Sequence, residues 1–154
     1  MTRVLVVCTG NTCRSPIAAA LLRRGLAAAG RHDVEVSSAG TGAWEGAPAS
    51  EGAYLVSLEQ GTDLSSHRAQ MLTKELVDRS DLILAMSRPH LARVRELGGG
   101  ARAHLFGEYA GQDGRDAEVA DPYGGELDEY REAYRTIAGM ITPIVSRIPG
   151  TSAS

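Results

Sequence analysis

Cys8 and Arg14 bracket a five-residue loop of Thr9, Gly10, Asn11, Thr12 and Cys13, and Ser15-Pro16 follows directly. A thiol, a guanidinium and a run of small residues suit the chemistry of a bound tetrahedral oxyanion. Small side chains let successive backbone N–H groups converge on one point. Gly10 is expected to supply a backbone conformation closed to other residues. Ser15 as N-cap, with Pro16 at the first helical position, opens a helix whose positive dipole end faces the same point. Arg14 adds a planar fork of donors able to hold two oxygens of one anion. The same field favours the thiolate of Cys8, which sets a nucleophile in the floor of an anion cradle. Alone, a cysteine after a strand is a packing residue and an arginine at a helix start is a surface charge. Their joint spacing, Cys-x5-Arg between strand and helix, is what points to chemistry.

A thiolate nucleophile needs a separate acid, because the leaving atom otherwise departs as a strong base. Segment 107–125 is long and glycine-rich, is expected to lack regular structure, and has the character of a functional loop. Asp113, Asp116, Glu118 and Asp121 all lie in it, and the residues alone leave them in competition. Pro122 stiffens the backbone beside Asp121, and Tyr123 offers an apolar wall. Other phosphate loops do not fit. No Gly-Lys-Ser/Thr ending is present, and Gly40-Thr-Gly42 lacks the third glycine of a dinucleotide fingerprint.

The elements that must position these residues follow from hydrophobic patterning. Short apolar runs at 3–7, 34–38, 81–86 and 102–106 read as buried parallel strands. Helical patterns lie between them at 15–29, 49–60, 73–79 and 89–97, the first stopped by Gly30. A final helix is expected over 127–147, with a kink near Gly139 because Pro143 removes a backbone donor. The fold class is α/β: a single domain, 1–148, with an open four-stranded parallel sheet and helices on both faces. The phosphate-binding loop follows the first strand, at the carboxyl edge where such sheets bind ligands. Residues 149–154 read as a flexible tail.

Composition narrows the class. The chain of 154 residues is 43% hydrophobic and 23% charged, as in an ordinary soluble globular domain. A formal net charge of −3 argues against nucleic-acid or anionic-membrane partners. No apolar run is long enough to span a membrane and no secretory pattern opens the chain, so the expected location is cytoplasmic. Two cysteines in one loop make neither a disulfide scaffold nor a zinc site. No metal or cofactor is expected, and the chain is expected to be a monomer.

Cys8-Thr-Gly-Asn-Thr-Cys-Arg-Ser-Pro16, Ser38-Ala-Gly-Thr41, Ser66-His-Arg-Ala-Gln70 and Asp121-Pro-Tyr-Gly124 together resemble the low-molecular-weight protein tyrosine phosphatases over nearly the whole chain. The resemblance implies a covalent phosphocysteine on Cys8, a phosphoryl group held by Arg14, and phosphorylated proteins as substrates. It implies that Asp121 protonates the leaving group and then activates water. Ser38 and His67 would brace the loop through Asn11, while Thr9, Gly10, Asn11, Thr12, Cys13, Ser15, Trp44 and Tyr123 would surround the substrate. A disulfide of Cys8 with Cys13, capping the nucleophile against over-oxidation, is also implied.

Thr12 departs from the aliphatic residue usual in tyrosine-directed members. The threonine resembles the protein arginine phosphatase branch, whose substrate is phosphoarginine. Its hydroxyl can hydrogen-bond beside the reacting centre, whereas isoleucine cannot. Tyr123 stacks equally on an aryl ring or a guanidinium plane, so Thr12 alone sets the expected preference for arginine over tyrosine. A thiol-relay arsenate reductase would need a further cysteine pair. A phosphocysteine transfer module would need neither Arg14 nor Asp121.

Overall fold

The computed structural model describes residues 1–150. Four strands, β1 (Thr2–Cys8), β2 (Val34–Gly40), β3 (Leu82–Ala85) and β4 (Ala103–Leu105), form one parallel sheet in the order β2-β1-β3-β4. The register pairs Val4 with Val36 on one side and with Leu82 on the other. Because β1 is central, the chain turns one way to reach β2 and crosses back to reach β3. The end of β1 is therefore the switch point where such sheets open a crevice.

Alternation along β1 separates two cores. Val4, Val6 and Cys8 face α1 (Arg14–Ala28) and the long C-terminal helix, whereas Leu5 and Val7 face Val77, Leu91 and Val94. Those last residues sit on α3 (Lys74–Arg79) and α4 (Arg88–Glu96). All five β1 residues are at most 2% exposed, which fits a strand read as one apolar run. Between β2 and α3 lies α2 (Glu51–Glu59), capped by Ser50.

Two expectations need correction. Helix α1 begins at Arg14 with Cys13 as a cap that makes no side-chain bond, not at a Ser15 cap. Ser15 is fully buried, and its hydroxyl is committed to Cys8 and Asn11 instead. Segment 107–125 is not irregular throughout: α5 (Phe106–Tyr109) and a 3-10 turn (Gly114–Ala117) occupy part of it. Gly107 makes this possible, since a Cβ there would lie 2.4 Å from the Asp116 carbonyl oxygen. Of residues 149–154, Pro149 and Gly150 are described. The Pro149 carbonyl accepts from Arg31 at 3.0 Å and from the Thr2 hydroxyl at 3.3 Å, and residues 151–154 lie outside the described residues.

Helix α6 (Leu127–Arg147) is one assigned helix through Gly139 and Pro143. Gly30, at φ +72°, follows the end of α1, and the Arg31 N–H returns to the Leu26 carbonyl.

Candidate active site

The loop after β1 is shaped by Asn11, the only residue other than glycine with a positive φ among those described, at +56°. Left-handed backbone is strained for a side chain, and four hydrogen bonds hold this one. Its Nδ2 donates to Ser15 Oγ at 2.8 Å and to Ser38 Oγ at 2.9 Å. Its Oδ1 accepts from the Gln70 N–H at 2.9 Å, and its carbonyl accepts from His67 Nε2 at 2.6 Å. Burial pushes the His67 pKa down, with Arg23 and Arg68 adding to the effect, which suits a neutral ring donating from Nε2. Gly10, expected to carry the special backbone, does not have a positive φ. The necessary glycine is Gly40, where a Cβ would stand 2.3 Å from the Thr9 carbonyl oxygen. The end of β2 thereby packs directly under the loop.

Held this way, the backbone N–H groups of Thr9 through Ser15 donate to no acceptor among the described residues. Buried amides are seldom left unpaired. A row of them at the N-terminus of α1 is a receptor for an anion. In the floor, Cys8 is 2% exposed, with Ser15 Oγ 2.9 Å from its sulfur. Cys13 is also buried, and burial, with the neighbouring Cys8 next, pushes its thiol up to about 12. Cys13 is therefore no competing thiolate at neutral pH.

Arg14 is 4% exposed and enters from α1. Its Nη1 donates to the Val119 carbonyl at 2.9 Å and to Ser87 Oγ at 3.0 Å. Ser87 precedes α4 but makes no cap bond there. With both Nη1 hydrogens used, Nε and Nη2 remain for an anion. The carboxylate of Asp121 lies 3.4 Å from Nη2. The loop carrying Asp121 is anchored just upstream, where the Val119 N–H reaches the Met86 carbonyl and Glu118 clasps the backbone and side chain of Arg88. Asp121 itself accepts from the Tyr123 N–H at 3.0 Å.

Cys8, Thr9, Gly10, Thr12, Cys13, Arg14, Trp44, Asp121 and Tyr123 line one cavity of about 350 Å³. Trp44 and Tyr123 stand at its rim, 83% and 78% exposed. The side chains of Asn11, Ser15, Ser38 and His67 lie beneath the loop, so Asn11 and Ser15 offer a ligand only backbone N–H groups. Ser87, Gln70, His90 and the Val119 carbonyl are contacts the sequence reading did not single out. A usable signal existed for Ser87 and His90, since residues following any parallel strand gather at the same sheet edge.

The chain matches the low molecular weight phosphotyrosine protein phosphatase family over residues 3–149. It belongs to that family. Membership makes it a protein phosphatase, a hydrolase. A protein-arginine-phosphatase of Geobacillus stearothermophilus is 38% identical to it over 95% of both chains. A probable low molecular weight protein-tyrosine-phosphatase, EpsP of Ralstonia nicotianae, is 41% identical over 94% of both. Among solved structures, a cysteine-to-serine mutant of the YwlE arginine phosphatase with a phosphorylated active-site serine superposes with a TM-score of 0.85. It is 31% identical, covering 95% of each chain. No helix among the described residues is long and apolar enough to cross a membrane.

Proposed function

We propose that this phosphatase hydrolyses phosphoarginine in proteins, through a phosphocysteine on Cys8. The phosphoryl oxygens enter the row of free amides and the open face of Arg14. The Cys8 sulfur attacks phosphorus, the P–N bond breaks as the S–P bond forms, and Asp121 delivers its proton to the departing guanidine nitrogen. In the second step Asp121 takes a proton from water. The resulting oxygen–phosphorus bond releases inorganic phosphate and returns Cys8 as a thiolate, to which Ser15 donates. Trp44 and Tyr123 flank the emerging side chain as planar faces for a guanidinium. Asp121 and the attacking water carry the protons of this sequence, and Arg14 with the loop amides faces the phosphoryl charge.

The observation that carries the choice of arginine is Thr12. Its side chain lines the cavity, and its hydroxyl makes no hydrogen bond to another described residue. An unspent hydroxyl beside the reacting phosphorus suits a leaving group rich in N–H donors and offers little to an aryl ring. Relatives named for arginine and for tyrosine lie at similar identity, so the choice rests on this side chain. Replacing Thr12 tests it. T12I should lower the kcat/KM ratio of a phosphoarginine peptide over a phosphotyrosine peptide by roughly tenfold or more. An unchanged ratio overturns the reading.

A further inference from the structure

His90 lies on α4, 5% exposed, and touches the phosphate loop from the side opposite Asn11. Its Nε2 is 2.7 Å from the Thr9 hydroxyl oxygen. Its other ring nitrogen, Nδ1, is buried with no hydrogen-bond partner among the described residues. A proton on Nδ1 would be a buried donor without an acceptor, the rarer and costlier kind of orphan. The proton therefore belongs on Nε2, which donates it to Thr9 Oγ1. Burial, then the positive charge of Arg14, pushes His90 down to about 4, against weaker pulls from Asp121 and Glu118. The ring stays neutral at physiological pH.

The consequence falls on Thr9. This residue is exposed and lines the cavity. With one lone pair committed to His90, its oxygen keeps a second lone pair and its own hydrogen. The ring also prevents the hydroxyl from turning freely. The start of α4 thus reaches both ends of the loop, through Ser87 just before the helix on Arg14 and through His90 within it on Thr9.

We propose that His90 is a positioning residue: by holding Thr9 Oγ1 it fixes a second specificity-determining hydroxyl beside Thr12, which selects leaving groups bearing N–H donors over aryl ones. The proposal rests on the phosphatase reading of the cleft and extends the phosphoarginine one.

The test compares the parent with T9V, H90L, H90Q and the double variant T9V/H90L. The readout is the kcat/KM ratio of a phosphoarginine peptide over a phosphotyrosine peptide. T9V and H90L should each lower that ratio by about fivefold, the worth of one neutral hydrogen bond. The double variant should fall no further than T9V alone. H90Q, whose amide can still donate to Thr9, should hold the ratio near the parent's. A full additional effect of H90L in the T9V background, or an unchanged ratio in T9V, overturns the proposal. Should H90L not fold, H90F, which fills the ring's space without a donor, takes its place, and a ratio unchanged from the parent's overturns the proposal. The parent's own ratio tests the phosphoarginine reading, and the shift among variants tests His90, so either can fail without the other.

Discussion

The guanidinium of Arg14 and the carboxylate of Asp121 stand 3.4 Å apart across the mouth of the cleft, the first buried and the second half exposed. The asymmetry separates their roles. Arg14 is fixed by Ser87 and Val119 and is already in place before an anion arrives. Asp121 is held by the Tyr123 N–H and by its ion pair with Arg14, and stays open to water, as the proposed acid and base must.

Removing the exchangeable proton while keeping the shape should therefore cost most where the leaving group is most basic. D121N should lower kcat/KM for a phosphoarginine peptide by about 10²–10³. The loss should be clearly smaller for an activated aryl phosphate, whose oxygen departs without help. Measuring kcat/KM against leaving-group pKa checks this; equal losses across the series would remove Asp121 as the acid.

Oxidation should engage Cys13. Its thiol is kept protonated first by burial and then by the neighbouring Cys8. Oxidation of Cys8 to an uncharged sulfenic acid removes the second influence and presents an electrophile to Cys13. Peroxide-inactivated parent should recover with dithiothreitol, whereas C13S should lose activity irreversibly. Equal recovery of the two would show that Cys13 gives no protection.

His90 also predicts a pH dependence of stability. Its pKa is about 4 in the fold against 6.5 for a free histidine, so the unfolded chain binds the extra proton first. The stabilisation is complete above about pH 6.5 and is lost as pH falls toward 4. The loss is on the order of 2 kcal/mol over that window. Denaturant unfolding at pH 7 and pH 4 checks it: H90Q should lose less stability than the parent on acidification, and an equal loss would contradict the assignment.

Much of this was legible in the sequence because the signals were local. Strand β1 declares itself as an apolar run, and the Cys8-to-Arg14 spacing declares an anion loop. The place of Asp121 at the cavity was legible only through family resemblance, since Glu108, Asp113, Asp116 and Glu118 share its segment. The backbone conformation was assigned to Gly10 when Asn11 carries it, because the contacts that stabilise Asn11 come from Ser38, His67 and Gln70, far along the chain. Gly40 matters through a close approach of β2 to Thr9 that no local pattern encodes. Helix α5 leaves no sequence signal because four residues give no periodicity, and what stabilises it is tertiary: the buried Phe106, the following 3-10 turn, and the hydrogen bonds between Tyr109 and Arg147.

The most direct test of the central claim is the kcat/KM of the unmodified protein on one peptide sequence carrying either phosphoarginine or phosphotyrosine. A free Thr12 hydroxyl in the cavity predicts phosphoarginine ahead by at least about tenfold. Phosphotyrosine turned over as fast or faster would contradict it.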